Sequence, residues 1–406
     1  MFRFGPQLRI LSSYLRSLIV AGSVLSAIFS SFETQAQNKS SSSTSSQKET
    51  GVSNSSLVIN KKNPLNINYL FALGGKQVQG EKTQATLGGA KVELEVLYAP
   101  TSWLGLSLIP VANFETGAQQ SFSNSQSDQN NKVFLQKATA DFKPFEGNTL
   151  SVGVQDLKEN HHSLMFARKP FPGLRAKQSV SFDANQSVAL EAETLVPTTS
   201  SLSTNTKELE KTPGFDSVGV SYQAQLNSRS RHLVRFNYFQ FRDLPSSVAF
   251  QSGLNGNNVE SISENESVFQ NSFKGTEAAI KSKWIITKNI DLGGQFLYLN
   301  NQGTSRENQA FLYGGLADFY FDKKTKMGLE AASFRIEADA TVAAFANSYY
   351  GYTNRNGYYF EANYELKDPA LKVIGGWTET EVIYKSPSQQ KENSFYLRIE
   401  VSNAAL

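Results

Sequence analysis

From about residue 65 to its end, the chain repeatedly alternates apolar and polar residues, and nowhere does it sustain a helical period. Tyr358, Phe360, Ala362, Tyr364 and Leu366 interleave with Tyr359, Glu361, Asn363, Glu365 and Lys367. Val218, Val220, Tyr222, Ala224 and Leu226 interleave with Ser217, Gly219, Ser221, Gln223 and Gln225. In the last such segment Phe395, Leu397, Ile399 and Val401 alternate with Tyr396, Arg398, Glu400 and Ser402. Successive side chains of a strand point to opposite faces, so each segment has one apolar edge and one polar edge. Turn signals divide the region into about sixteen strands. They fall near 65–74, 85–98, 103–114, 132–142, 149–157, 175–184, 187–196, 216–226, 231–243, 273–287, 290–300, 308–321, 326–336, 356–367, 370–384 and 393–404.

The connections decide between a soluble sheet and a membrane barrel. Every second one is tight: PTSW, KPFEGN, ANQ, NSRS, TKN, DKKTK and KDPA. Those between them are mostly longer and more polar, including SFSNSQSDQNN, 197–214 and 244–272. Short turns at one end and long loops at the other describe an all-β, transmembrane antiparallel barrel with periplasmic turns and extracellular loops. An even strand count places both chain ends on the periplasmic side. A bilayer offers no partners to backbone N–H and C=O groups, so the sheet must close on itself. About sixteen strands leave room for an aqueous channel. The apolar edges then face lipid, and Glu93, Glu95, Glu191, Glu193, Glu361, Glu365 and Arg398 face the lumen. Of twelve prolines only Pro110 falls inside an expected strand, as a closed hydrogen-bonded sheet requires.

Composition agrees. Charged residues make up 18%, aromatics 12%, and mean hydropathy is −0.36. Transmembrane strands give half their residues to water, so plentiful aromatics and a polar average coexist there. With no cysteine there is no disulfide framework and no thiolate metal site. A net charge of +3, spread in mixed sign, argues against a nucleic-acid partner.

Arg3, Arg9 and Arg16, the apolar run 18–29 and the ending ETQA at Ala36 read as a secretory signal peptide over 1–36. The apolar run is short of the roughly 20 residues that span a bilayer, which disfavours an anchor. Residues 37–64 form a Ser-rich flexible linker, with cell-wall binding as the lesser alternative, and 65–406 form the barrel.

In strand number, loop alternation and aromatic strand ends, the stretch 65–406 resembles the bacterial general porins. That family ends its last strand in phenylalanine, where this chain has Leu406. The resemblance implies an outer-membrane channel for small hydrophilic solutes, assembled as a homotrimer, with a third long loop narrowing the pore. Here that loop reads KENHHSLMFARKPFPGLR, with Leu164, Met165, Phe166, Phe171 and Leu174 as an unusual apolar load. Burial inside the lumen or against a wall accounts for them. Where porins often carry acids, this stretch carries Arg168, Lys169 and Arg175 against Glu159. With His161 and His162 they form the expected constriction, a cationic face favouring anions; solvated charges on a plug or an outer loop are the alternative. Arg235, Lys281, Lys283, Glu191 and Glu193 are the expected lumen wall, and Arg231 flanks it near the periplasmic rim.

No enzyme reading holds. His161, His162 and His232 are the only histidines, and no spacing makes a catalytic triad or a metal set of them. His232 alternates with Val234, Phe236 and Tyr238 and belongs at a strand end near the membrane interface. No cofactor is expected. Two further readings remain open: a plugged barrel whose long loops bind partners, and a secreted soluble β protein.

Overall fold

The structure is a computed structural model. It describes residues 64–81, 83–121, 131–167, 169–198, 209–227, 229–264, 266–368 and 370–403. The expected signal peptide, the linker up to residue 63, Arg168 and the terminal Leu406 lie outside the described residues.

Eighteen strands, one α-helix and two 3-10 turns are seen among the described residues. The strands are β1 (Leu65–Gly80), β2 (Thr83–Tyr98), β3 (Leu104–Ser121), β4 (Lys132–Phe142), β5 (Asn148–Asp156) and β6 (Pro170–Asp183). They continue with β7 (Gln186–Leu195), β8 (Gly214–Asn227), β9 (Ser230–Arg242), β10 (Val259–Ser263), β11 (Glu266–Phe269) and β12 (Lys274–Thr287). The last six are β13 (Ile290–Asn301), β14 (Gln309–Tyr320), β15 (Thr325–Ile336), β16 (Arg355–Lys367), β17 (Ala370–Val382) and β18 (Glu392–Ser402). The helix α1 (Ser246–Leu254) precedes the β10–β11 hairpin. All strands but β10 and β11 pair with their chain neighbours, β9 pairs with β12, and β18 closes on β1 in one sixteen-stranded antiparallel barrel.

The register confirms the face of each strand. Val401, Ile399 and Leu397 stand opposite Phe71, Leu73 and Gly75, and continue across the next pair to Leu371, Val373 and Gly375. This row looks outward, as do the exposed Ile280, Phe296, Tyr313, Tyr358 and Phe360. Arg398 and Glu400 occupy the alternate, lumenal row and form an ion pair at 2.8 Å. His232 points outward at the short-turn end, bonded to Ser282 Oγ at 2.9 Å and edge-on to Trp284. A belt of exposed aliphatic and aromatic side chains around a closed sheet requires a lipid surround.

Several boundaries differ from the sequence reading, β3 among them, which runs on from 114 to Ser121. The first long-end connection, expected over 75–84, is largely strand on a tall hairpin, because 75–79 pair with 84–88 and 75–80 pair with 392–397. The strand β6 starts at Pro170, not at 175, so Pro170 and Pro172 join Pro110 inside strands. Pro110 itself sits at a β-bulge, where the register shifts between Ile109 and Pro110 and the missing N–H leaves no gap in the ladder. The expected loop 244–272 carries α1 and the β10–β11 hairpin.

The hydrophobic core lies inside the barrel, at the long-loop end. Inward-facing Phe171, Leu195, Phe215, Phe239, Phe241, Leu297, Leu299, Leu312, Phe334 and Ile336 ring part of the mouth. Into this ring insert the third loop (157–169), α1, and the stretch 337–347 with Ala340, Val342, Ala344 and Phe345. The inserted pieces are knitted to one another. Asn257 Nδ2 donates to the carbonyls of Ala338 and Thr341, its Oδ1 accepts from Ala343 N, and Ser252 Oγ accepts from Ala344 N. These bonds satisfy backbone groups that would otherwise be buried without partners.

Candidate functional site

The third loop is held to the lumen wall by a buried network of charges. Leu157, Leu164, Met165 and Phe166 give it an apolar side, and Phe166 meets Phe171 and Phe215 edge-on. Packing that side inward carries His161 with it to 3% exposure. There its Nδ1 lies 2.6 Å from Glu277 Oε1 on β12 and its Nε2 lies 3.1 Å from Glu193 Oε2 on β7. Asn160 Nδ2 donates to Glu193 Oε1 at 2.5 Å, and Asn237 Nδ2 donates to the Asn160 carbonyl at 3.0 Å and to Glu277.

Arg175 closes the same network. Its Nε donates to Glu193 Oε1 at 2.5 Å and its Nη1 to Glu159 Oε2 at 2.8 Å, while Lys137 holds the other oxygen of Glu159 at 2.6 Å. Charges withdrawn from water persist when each has an opposite partner and its hydrogen bonds are filled.

Burial by itself lowers the pKa of His161, but the Glu277 carboxylate and the bonds to Glu193 and Glu277 outweigh it and hold the imidazolium up to about 9. Both ring nitrogens therefore donate. Since this pKa lies above the ordinary 6.5, the imidazolium's contribution is fully present below the ordinary value and is lost as pH rises through the folded one. The expected result is a third loop cleaved by protease more readily at pH 10 than at pH 7, with the barrel itself intact. Equal cleavage at both values would show that His161 does not carry the anchor. His162 behaves differently: burial pushes its pKa down, and its Nε2 donates to the Tyr298 carbonyl at 3.0 Å.

The sequence-derived constriction is thus rearranged. His161 and His162 border the lumen but are spent on anchoring. Arg175 lies on β6, buried in ion pairs. Lys169 is half-buried and does not border the lumenal cavity. On the wall, Glu193 belongs to the anchor, Glu191 pairs with Lys177 at 2.9 Å, and Lys283 bridges Asp291 and Asp318 at 3.0 and 2.9 Å. Arg235 donates to the Glu159 carbonyl at 3.1 Å, and Lys281 projects into the lumen.

The described parts of the loops leave the other side of the lumen open. A cavity of about 740 Å³ runs between the third loop and the wall of β1, β2, β3 and β18. Facing each other across it are Lys158 and Ser163 of the loop and Lys76, Lys91, Glu115 and Arg398 of the wall. Gly74 and Gly89 pair directly and lie on the lumenal face, so the wall opposite the loop carries no side chain there. A Cβ on Gly89 would come within 2.6 Å of the Phe114 carbonyl, which fixes that bare patch.

A cluster of tyrosines, absent from the sequence expectation, forms one margin of the cavity. Tyr349 and Tyr396 share a hydroxyl contact at 3.0 Å, Tyr396 donates to Glu361, Tyr359 donates to Glu330, and Ser163 bonds Tyr350 at 2.9 Å. Tyr359 and Tyr396 were readable as lumenal from alternation; Tyr349 and Tyr350 come from an inserted loop that has no period.

No family profile matches the chain and no curated protein matches it in sequence. Solved structures do match in shape. Pseudomonas putida OprB at high pH is 13% identical with a TM-score of 0.55, covering 84% of this chain and 95% of that one. A mutant of the Rh. blastica porin is 12% identical with a TM-score of 0.44, covering 83% and 99%. A loop-deletion mutant of OmpT, an outer membrane protein of Vibrio cholerae, is 12% identical with a TM-score of 0.46, covering 84% and 100%. The fold is a closed sixteen-stranded barrel of the porin type.

Proposed function

We propose that the protein is an outer-membrane porin, a passive channel for small hydrophilic solutes that favours anions. The observation that carries this reading is the open cavity beside the third loop, lined by polar and charged side chains and walled off from lipid by the closed sheet. Lys76, Lys91, Lys158, Lys281 and Arg398 border it, against Glu115, Glu330 and Glu361. Lys91 leans on Glu93 at 2.6 Å and Arg398 on Glu400, while Glu330 and Glu361 each receive a tyrosine hydroxyl. Lys158 and Lys281 are exposed to the water of the lumen, on the loop side. Rings and patches of one sign bias permeation toward the opposite sign. Export by the 1–36 signal peptide, the 37–64 linker and homotrimer assembly belong to the same proposal, the last resting on the family resemblance alone.

Purified protein in a planar bilayer should give stepwise conductance, with a reversal potential in a salt gradient that reports anion preference. Lys158→Glu with Lys281→Glu should shift that potential toward cations. Insertion without steps would overturn the channel. That outcome would select the second reading, a plugged barrel whose mouth binds partners, which the apolar core inside the mouth favours.

A further inference from the structure

Three cations from separate parts of the chain meet at the base of the third loop. Lys158 opens the loop, Arg235 lies on β9 and Lys281 on β12. Arg235 pairs in register with Ala279 and Lys281 with Leu233, so the two side chains are diagonal neighbours on the lumenal face of adjacent strands. Arg235 Nη1 reaches the carbonyl of Glu159, the residue after Lys158, at 3.1 Å. Lys281 lies within electrostatic reach of both other cations, and it borders the cavity together with Lys158.

Like charges gathered this way repel, and the surrounding acids are engaged elsewhere. Glu159 has one oxygen on Lys137 and the other on Arg175. Glu193 and Glu277 hold His161. Glu330, the acid that Lys281 feels, accepts from Tyr359 and from Gln295 at 2.8 Å. Neither Arg235 nor Lys281 has a carboxylate partner within ion-pair distance among the described residues.

We propose that Lys158, Arg235 and Lys281 form a binding site for a small oxyanion of the phosphate class on the lumen wall. Two flexible ammonium groups and one planar guanidinium supply charge-assisted donors from three directions, which suits a compact anion with several oxygens better than a monatomic one. This deepens the channel reading and rests on it for access to the site.

The test uses inorganic phosphate on the full-length protein. Calorimetric titration into the detergent-solubilised barrel should show saturable binding, about tenfold weaker in Lys281→Gln, as expected for loss of a charged donor. Among the described residues the Lys281 side chain has no hydrogen bond or ion pair, so this variant leaves the loop anchor alone. In the bilayer, phosphate should reduce the chloride current of the native channel, and Lys281→Gln should conduct chloride while losing that block. Absence of calorimetric binding, or equal binding by Lys281→Gln, overturns the site even if chloride is conducted. Binding lost in Lys281→Gln without any conductance supports the site and sinks the channel.

Discussion

Replacing His161 with alanine is expected to cost about 3–5 kcal/mol, the range for breaking a buried ion pair from one side. The substitution leaves Glu193 and Glu277 facing a void, both inaccessible to water and each short of a positive partner. Arg175 still serves one oxygen of Glu193, so the larger loss falls on Glu277. The loss should appear as a lower temperature for the gel-mobility shift of the folded barrel. Cleavage within the third loop should also speed up, which a merely thinned core would not produce. A His161→Ala, Glu277→Gln double variant should regain part of the stability, because it removes the stranded carboxylate of Glu277 while Glu193 keeps Arg175 as its partner. If the single and double variants are equally unstable, electrostatics do not hold the loop.

Phe345→Ala is expected to have an effect of similar size, about 3–5 kcal/mol for a buried phenylalanine. Phe345 is 1% exposed. Its ring meets Phe171 edge-on at 5.1 Å and stacks on Phe241 at 5.9 Å, and its carbonyl accepts from Ala167 N of the third loop. It is therefore the residue through which the 337–347 insertion grips both the wall and the loop. Truncation should raise single-channel conductance or its noise, since the pieces narrowing the lumen lose their common anchor. An unchanged conductance trace, with stability lowered, would mean that the insertion does not border the conduction path.

The barrel was legible because its cause is local. Alternation reports the two faces residue by residue, and the last alternating segment, expected over 393–404, proves to pair with β1 from Leu70↔Ser402 to Gly80↔Glu392. Strand ends were less legible. Residues 75–80 carry Gly and Gln, which suit a loop by composition, yet pairing on both sides keeps them extended. The apolar load of the third loop correctly pointed to burial. The destination of its charges stayed hidden, because Glu193 and Glu277 lie 32 and 116 residues from His161 and reach it through barrel closure. Periodicity carries no such information, which is why Arg175 read as a pore cation and is instead a buried tie.

The members of the lumenal core all lie between Leu157 and Tyr359. Among the described residues, none comes from β1 to β5, β17 or β18, the strands around the seam. The middle of the chain thus owns its filling, and a curved sheet of β6 to β16 has reason to wrap around it before the ends join. The seam between first and last strands then closes over water rather than over packed side chains. Assembly order and permeation path are, on this architecture, two consequences of the same one-sided filling.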